Sequence, residues 1–201
     1  MANGSARLRA HYGEPSALAV AKQMPHLDRH ARAFIALSPF LVIASADAEG
    51  HADATPRGDA PGFVAVADDA TLLIPDRPGN RRIDTLLNVA ANPRVGLLFF
   101  VPGIAETLRV NGRARFTDDA ALLAPLAVGG RAPVGGIEVA VEEVFFHCGK
   151  ALIRADLWNP EKRVERGKFP TLGRVLADQI ASLDAAAAEQ SLAEAYRSRL
   201  Y

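Results

Sequence analysis

The chain has 201 residues, 49% hydrophobic and 23% charged, enough to bury one sizeable core with appended segments. Lys+Arg and Asp+Glu both number 23, so there is no global basic field for nucleic acid or an anionic membrane, and any anion binding must be local. The single cysteine, Cys148, excludes an internal disulfide, residues 1–14 lack an apolar core of signal-peptide length, and no run reaches transmembrane length; a cytoplasmic enzyme or binding protein is the expected class.

Residues 1–14 read as a loose polar arm, followed by a helix from about Pro15 to Met24. A second helix over 27–37 places Leu27, Ala31, Phe34 and Ile35 on one face and stops at Ser38-Pro39. Strands are expected at 40–46 and 51–55 around the turn Asp47–Gly50, and at 62–67 and 71–74 around Asp68–Ala70. Gly79-Asn80 reads as the turn and N-cap of a helix whose Ile83, Leu86, Leu87 and Ala90 share a buried face, ending before Asn92-Pro93. Further strands are expected at 95–101, at 106–116 with a bulge at Asn111-Gly112, and at 136–148. A short helix capped by Thr117 or Asp118 separates the last two. Helices at 151–157, 172–183 (Leu172, Val175, Leu176 and Ile180 inward) and 185–199 close the chain. Hairpin-linked strands with inserted helices describe an antiparallel barrel, closed or partly closed, and no internal repeat.

Four groups of residues could carry chemistry. Arg81 and Arg82 stand at a helix start, where the backbone already carries partial positive charge. A phosphate between the two guanidiniums and the free amides would account for them; two solvated surface arginines are the alternative. Arg57, at the strand-to-loop junction Thr55-Pro56-Arg57-Gly58-Asp59, could take a phosphate or ribityl oxygen, or pair with Asp59 or Asp76. Thr107, Arg109 and Asn111 share one strand face, either a polar ligand groove or a solvated exterior. His147-Cys148 points to opposite faces, no metal-ligand spacing accompanies it, and Cys148 is expected to be a buried apolar residue.

In order, Ser38-Pro39-Phe40, Thr55–Asp59, Pro61-Gly62-Phe63, Leu73–Arg82, Asn92-Pro93, Thr107–Gly112, Phe146–Ala151 and Leu157–Pro160 resemble the FMN-binding split-barrel family related to pyridoxamine 5′-phosphate oxidase. The closest likeness is to its bacterial branch of FMN-dependent enzymes. The resemblance implies a mainly β fold, a six-stranded antiparallel split barrel with N- and C-terminal helices. It divides the chain into an arm and helix at 1–26, the barrel at 27–160 and a helical extension at 161–201.

It further implies a homodimer with FMN in clefts between the subunits. Asn80, Arg81 and Arg82 would match the phosphate grip, and Arg57 and Gly58 the strand end beside the flavin. Pro75 and Asp76 would border the ring, Thr107 and Arg109 would reach the flavin of the other subunit, and Lys150 and Trp158 would belong to a segment closing the cleft. The alanine-rich tail lacks the arginine/histidine substrate motif of true pyridoxamine phosphate oxidases, so vitamin B6 phosphate is not the expected substrate. An FMN-dependent oxidoreductase of a small organic substrate is the primary reading. A non-catalytic flavin carrier, or one for haem or a deazaflavin with His147 as the tempting haem ligand, is the alternative.

Overall fold

The computed structural model describes residues 2–201. Its elements are α1 (Ala2–Tyr12), α2 (Ala17–Ala21), α3 (Arg29–Leu37), β1 (Phe40–Ala46), β2 (Ala52–Gly58), β3 (Ala65–Val66), β4 (Thr71–Asp76) and α4 (Asp84–Ala91). There follow β5 (Arg94–Phe100), β6 (Thr107–Thr117), α5 (Ala120–Leu123), β7 (Gly135–His147), α6 (Lys150–Ala155), α7 (Leu172–Gln179) and α8 (Ala185–Ser198). No helix among the described residues is long and apolar enough to cross a membrane.

The seven strands form one sheet in the order β2-β1-β5-β6-β7-β4-β3, every neighbour antiparallel. The resemblance implied six; the seventh is the two-residue β3, shorter than the 62–67 expected because Pro61-Gly62 turns the chain with Gly62 at φ 80°. Alternation decides which residues face inward. Leu41 and Ile43 of β1, Leu97 and Phe99 of β5, Leu108 and Val110 of β6 and Ile137 and Val139 of β7 fill the core with Leu27, Ala31, Phe34 and Ile35 around α3. The long β6–β7 ladder slips at Asn111/Gly112, the expected bulge. A Cβ at Gly112 would collide with the Ala140 carbonyl, so only glycine fits there.

The sheet curls without closing. No backbone ladder joins β2 to β3 or β4 among the described residues. Side chains join them instead: Arg57 Nη1 lies 3.7 Å from Asp76, and Arg77 Nε donates to Asp59 at 2.7 Å. On the far side, β4 pairs only with the first part of β7, and the chain around Met24 bridges to the later part at Val144. Met24 and Val144 exchange both backbone hydrogen bonds, and Leu27 N–H donates to Asp69.

Several helical expectations are corrected. The arm is helical as α1, where Ala, Arg and Leu propensity prevails until Gly13, at φ 75°, ends it. The helix expected from Pro15 to Met24 shrinks to α2 because Met24 is drawn into the bridge with β7. Asp119, not Thr117 or Asp118, caps α5. In the tail, Leu172 and Ile180 are exposed; it is Gly173 that seats α7 against Glu189 of α8. Cys148 is exposed, lying past the end of β7.

Candidate functional site

The loop between β4 and α4 departs most from expectation. Asn80 does not cap the helix: its Oδ1 accepts from Arg82 N–H at 3.0 Å in a local turn. Arg81 (φ 63°) and Ile83 (φ 52°) are both left-handed, so the helix begins only at Asp84, with no side-chain cap. Neither residue is a glycine, and each such position costs about 1–3 kcal/mol and persists only where the surroundings impose it. Arg81 and Arg82 therefore precede the helix. Both are exposed; Arg82 Nε donates to Asp84 at 2.9 Å, whereas the Arg81 guanidinium has no partner among the described residues.

The buried face of α4 is only in part the one read from apolar spacing: Leu86 packs half-buried against the core, but Ile83, Leu87 and Ala90 do not. Ile83 is 50% and Leu87 58% exposed, while Thr85, Asn88 and Val89 are buried. Polar pairing decides this. Thr85 and Thr55 hydroxyls lie 2.9 Å apart, and Asn88 Nδ2 donates to Ser45 (3.0 Å) and Asp53 (2.7 Å). A hydrogen-bonded polar stripe thus holds α4 across β1 and β2.

Arg57 follows Asp53 and Thr55 on the inward face of β2 and is paired with Asp76, one of the two partners considered. Its Nε is buried without an acceptor. Pro75 is buried, and Gly58 ends β2 against the Phe40 ring. Asp59, whose side chain is 3% exposed, binds Arg77, the Ala60 amide (2.7 Å) and the phenol of Tyr201 (2.8 Å). Burial pushes its carboxyl upward, but the hydrogen bonds from Tyr201, Ala60 and Arg77 outweigh it and hold the pKa below the usual value. No spacing or motif in the sequence marks Asp59, Arg77 and Tyr201 as a unit. Asp59 stood only as a partner for Arg57, and nothing in the sequence links residue 201 to residue 59. Beside them is a cavity of about 330 Å³ lined by Arg77, Pro78, Arg131, Pro133, Val134 and Tyr201.

Thr107, Arg109 and Asn111 do share a face, and it is the outward one. Within a single chain they are not brought together with the inward-facing Arg57. Arg109 lies over the Phe145 ring (4.2 Å to the centroid), with Lys22 Nζ at 5.0 Å, and its Nε is also buried without an acceptor. Its Nη2 and Asn111 Nδ2 both reach Glu143, at 3.3 and 2.7 Å. His147 is half-buried; burial, then the charges of Arg109 and Lys22, lower its pKa and favour the neutral ring. On the same outward face, Phe40 (39% exposed), Val42, Leu98 and Phe100 form an apolar surface left partly open to solvent. Lys150 is exposed at the start of α6, and Trp158 Nε1 donates to the Ile104 carbonyl at 2.8 Å, pinning the tail to the β5–β6 connection.

The structure thus defines an antiparallel split barrel with flanking helices, its seam bordered by basic loops. Residues 27–148, more than half of the chain, match the family model described as pyridoxamine 5′-phosphate oxidase, and the chain belongs to that flavin-binding family. A search of curated proteins found no match. Among solved structures it is similar to a candidate pyridoxamine 5′-phosphate oxidase from Lactobacillus delbrueckii (19% identity, 61% of this chain and 95% of that one, TM-score 0.48). It is also similar to HupZ of Group A Streptococcus (18%, 59% and 92%, TM-score 0.48). A further similar structure is an FAD-binding protein from Mycobacterium smegmatis (15%, 61% and 95%, TM-score 0.40).

Proposed function

We propose that the protein is a homodimeric FMN-dependent oxidoreductase acting on a small organic substrate. The observation that carries this reading is a set of unsatisfied donors at the seam. Arg57 Nε is buried without an acceptor beside a strained loop whose Arg81 has no partner among the described residues and whose helix N-terminus lacks a side-chain cap. Such a set fits a phosphate, which supplies several acceptors and two negative charges. Asn80, Arg81 and Arg82 would hold the phosphate, Arg57 and Gly58 would approach the ribityl chain, and Pro75 and Asp76 would border the ring. Bound FMN would supply the electron or hydride transfer, while the protein orients it and excludes water.

The dimer reading is supported by the apolar outward face, which a second copy would bury. The partner subunit's Thr107 and Arg109 would then complete the cleft, and the second orphaned donor, Arg109 Nε, would find its acceptor there. Lys150 and the pinned Trp158 would border the opening. A second reading, a non-catalytic carrier of flavin, deazaflavin or haem, is favoured by His147, whose half-buried and preferentially neutral ring is the form that binds iron.

The absorption spectrum of the purified protein, before and after incubation with FMN and with haemin, tests these readings. Flavin uptake with dimeric mass is the expected result. A protein that takes up no FMN, or that keeps it as a monomer, overturns the primary reading. Anaerobic reduction by NADH or NADPH, followed by oxygen and a substrate panel, then separates enzyme from carrier.

A further inference from the structure

Two ion pairs cross the seam, and they are not alike. Arg57–Asp76 leaves a buried donor unused, whereas Asp59–Arg77 leaves no buried donor or acceptor unpartnered. Asp59 accepts from Arg77 Nε at 2.7 Å, from its neighbour's amide at 2.7 Å and from Tyr201 at 2.8 Å. Arg77 donates its Nη1 to the Leu126 carbonyl at 3.0 Å, and its guanidinium lies 5.6 Å from the centroid of the Tyr201 ring. Arg131 Nη1 donates to the Tyr201 carbonyl at 3.0 Å. One buried carboxylate therefore ties together the loop after β2, the loop after β4, the 126–131 turn and the end of the tail.

Arg77 is the first residue of the 77–83 loop, which holds two non-glycine residues at positive φ. A loop that stores such strain keeps its shape only if its ends are held. The far end is held by Thr85 and Asn88 on α4. The near end has Arg77, and Arg77 is fixed through Asp59 and Tyr201. We propose that Asp59 and Tyr201 are positioning residues. They form a clasp through which the C-terminal segment sets the geometry of the 77–83 loop, and so its discrimination in favour of a phosphorylated flavin.

The clasp acts on the phosphate through the loop and touches no flavin itself. This rests on the FMN reading above, and the experiment separates the two. Affinities for FMN and for riboflavin, which lacks the phosphate, are measured by fluorescence titration for the wild type, Tyr201→Phe and Asp59→Asn. In parallel, tryptic cleavage after Arg81 and Arg82 is followed by mass spectrometry in flavin-free protein.

The phenol of Tyr201 is at the surface, so Tyr201→Phe is expected to fold and to lose one hydrogen bond to a charged group. Its FMN affinity should fall about tenfold, with riboflavin affinity unchanged. Asp59→Asn should fall further, and cleavage in the loop should accelerate several-fold in both variants. An unchanged FMN-to-riboflavin ratio with unchanged cleavage overturns the clasp even where the wild type binds FMN. A wild type that binds no FMN, with cleavage still accelerated in Tyr201→Phe, removes the FMN reading and leaves the clasp as the device that orders the loop.

Discussion

The wall of the barrel and its seam are held by different forces. The wall, β1-β5-β6-β7, is continuous backbone ladder over a core of Leu41, Leu97, Phe99, Val110 and Val139, none more than 1% exposed. The seam between β2 and β4 has no ladder among the described residues and is closed by Arg57–Asp76 and Asp59–Arg77, with α4 tied on by Thr55, Thr85 and Asn88. The wall draws its stability from non-directional burial, which tolerates ligand-free conditions and is indifferent to what binds. The seam depends on charged, directional contacts with donors left over, so a ligand can complete it. Under the proposed function, stability and binding would fall to different parts of one sheet.

This contrast can be broken from either side. The largest effect is expected in the wall: Leu97→Ala should cost about 2–5 kcal/mol of unfolding free energy. Urea titration should show that loss, while the FMN affinity of the remaining folded protein stays unchanged. In the seam the pattern should invert. Arg81→Glu should cost FMN binding about 1.5–3 kcal/mol, one to two decades in affinity, with the urea midpoint unmoved. Arg82→Ala should do less, because Asp84 already takes its Nε. A common loss of stability and affinity in all three variants would dissolve the distinction.

Smaller effects sharpen it. Ile83→Asn replaces a half-exposed β-branched residue at φ 52° with one that accepts that conformation, and should raise stability by about 1 kcal/mol. If the strain belongs to the loop's own shape, FMN affinity should hold.

The smallest effect is on pH dependence. The folded state lowers the pKa of His147, so the unfolded chain takes up the proton first. The neutral ring's contribution is then present above the unfolded value of about 6.5 and is lost as pH falls through it toward the folded value. Thermal melts of His147→Gln between about pH 5 and 7 should show a flatter slope than the wild type.

Much of the wall was legible in the sequence, and little of the seam. β1 begins and ends at Phe40 and Ala46 as the short apolar run after Pro39 predicts, and the Asn111-Gly112 bulge follows from a glycine inside a long strand. These are local signals of period and turn chemistry. Apolar spacing predicts the wrong edge of the α4 face because a hydrophobic count ranks Ile83 and Leu87 above Thr85 and Asn88, although Ser45, Asp53 and Thr55 offer the latter matched partners. Those partners come from strands that the sequence does not place beside the helix. The Asp59–Arg77–Tyr201 group spans 142 residues and leaves no periodic trace at all.

The bridge between Met24 and Val144 has a consequence for handling the protein. β7 is thirteen residues long, and β4 pairs with it only from Gly135 to Ala140. The chain around Met24 screens part of the remaining strand edge, with Lys22 Nζ capping the Phe146 carbonyl at 2.7 Å. A truncation that began the chain at the family-matched residue 27 would bare these backbone groups as a template for intermolecular strand pairing. Such a shortened protein should be prone to aggregate through that edge although its barrel core is intact.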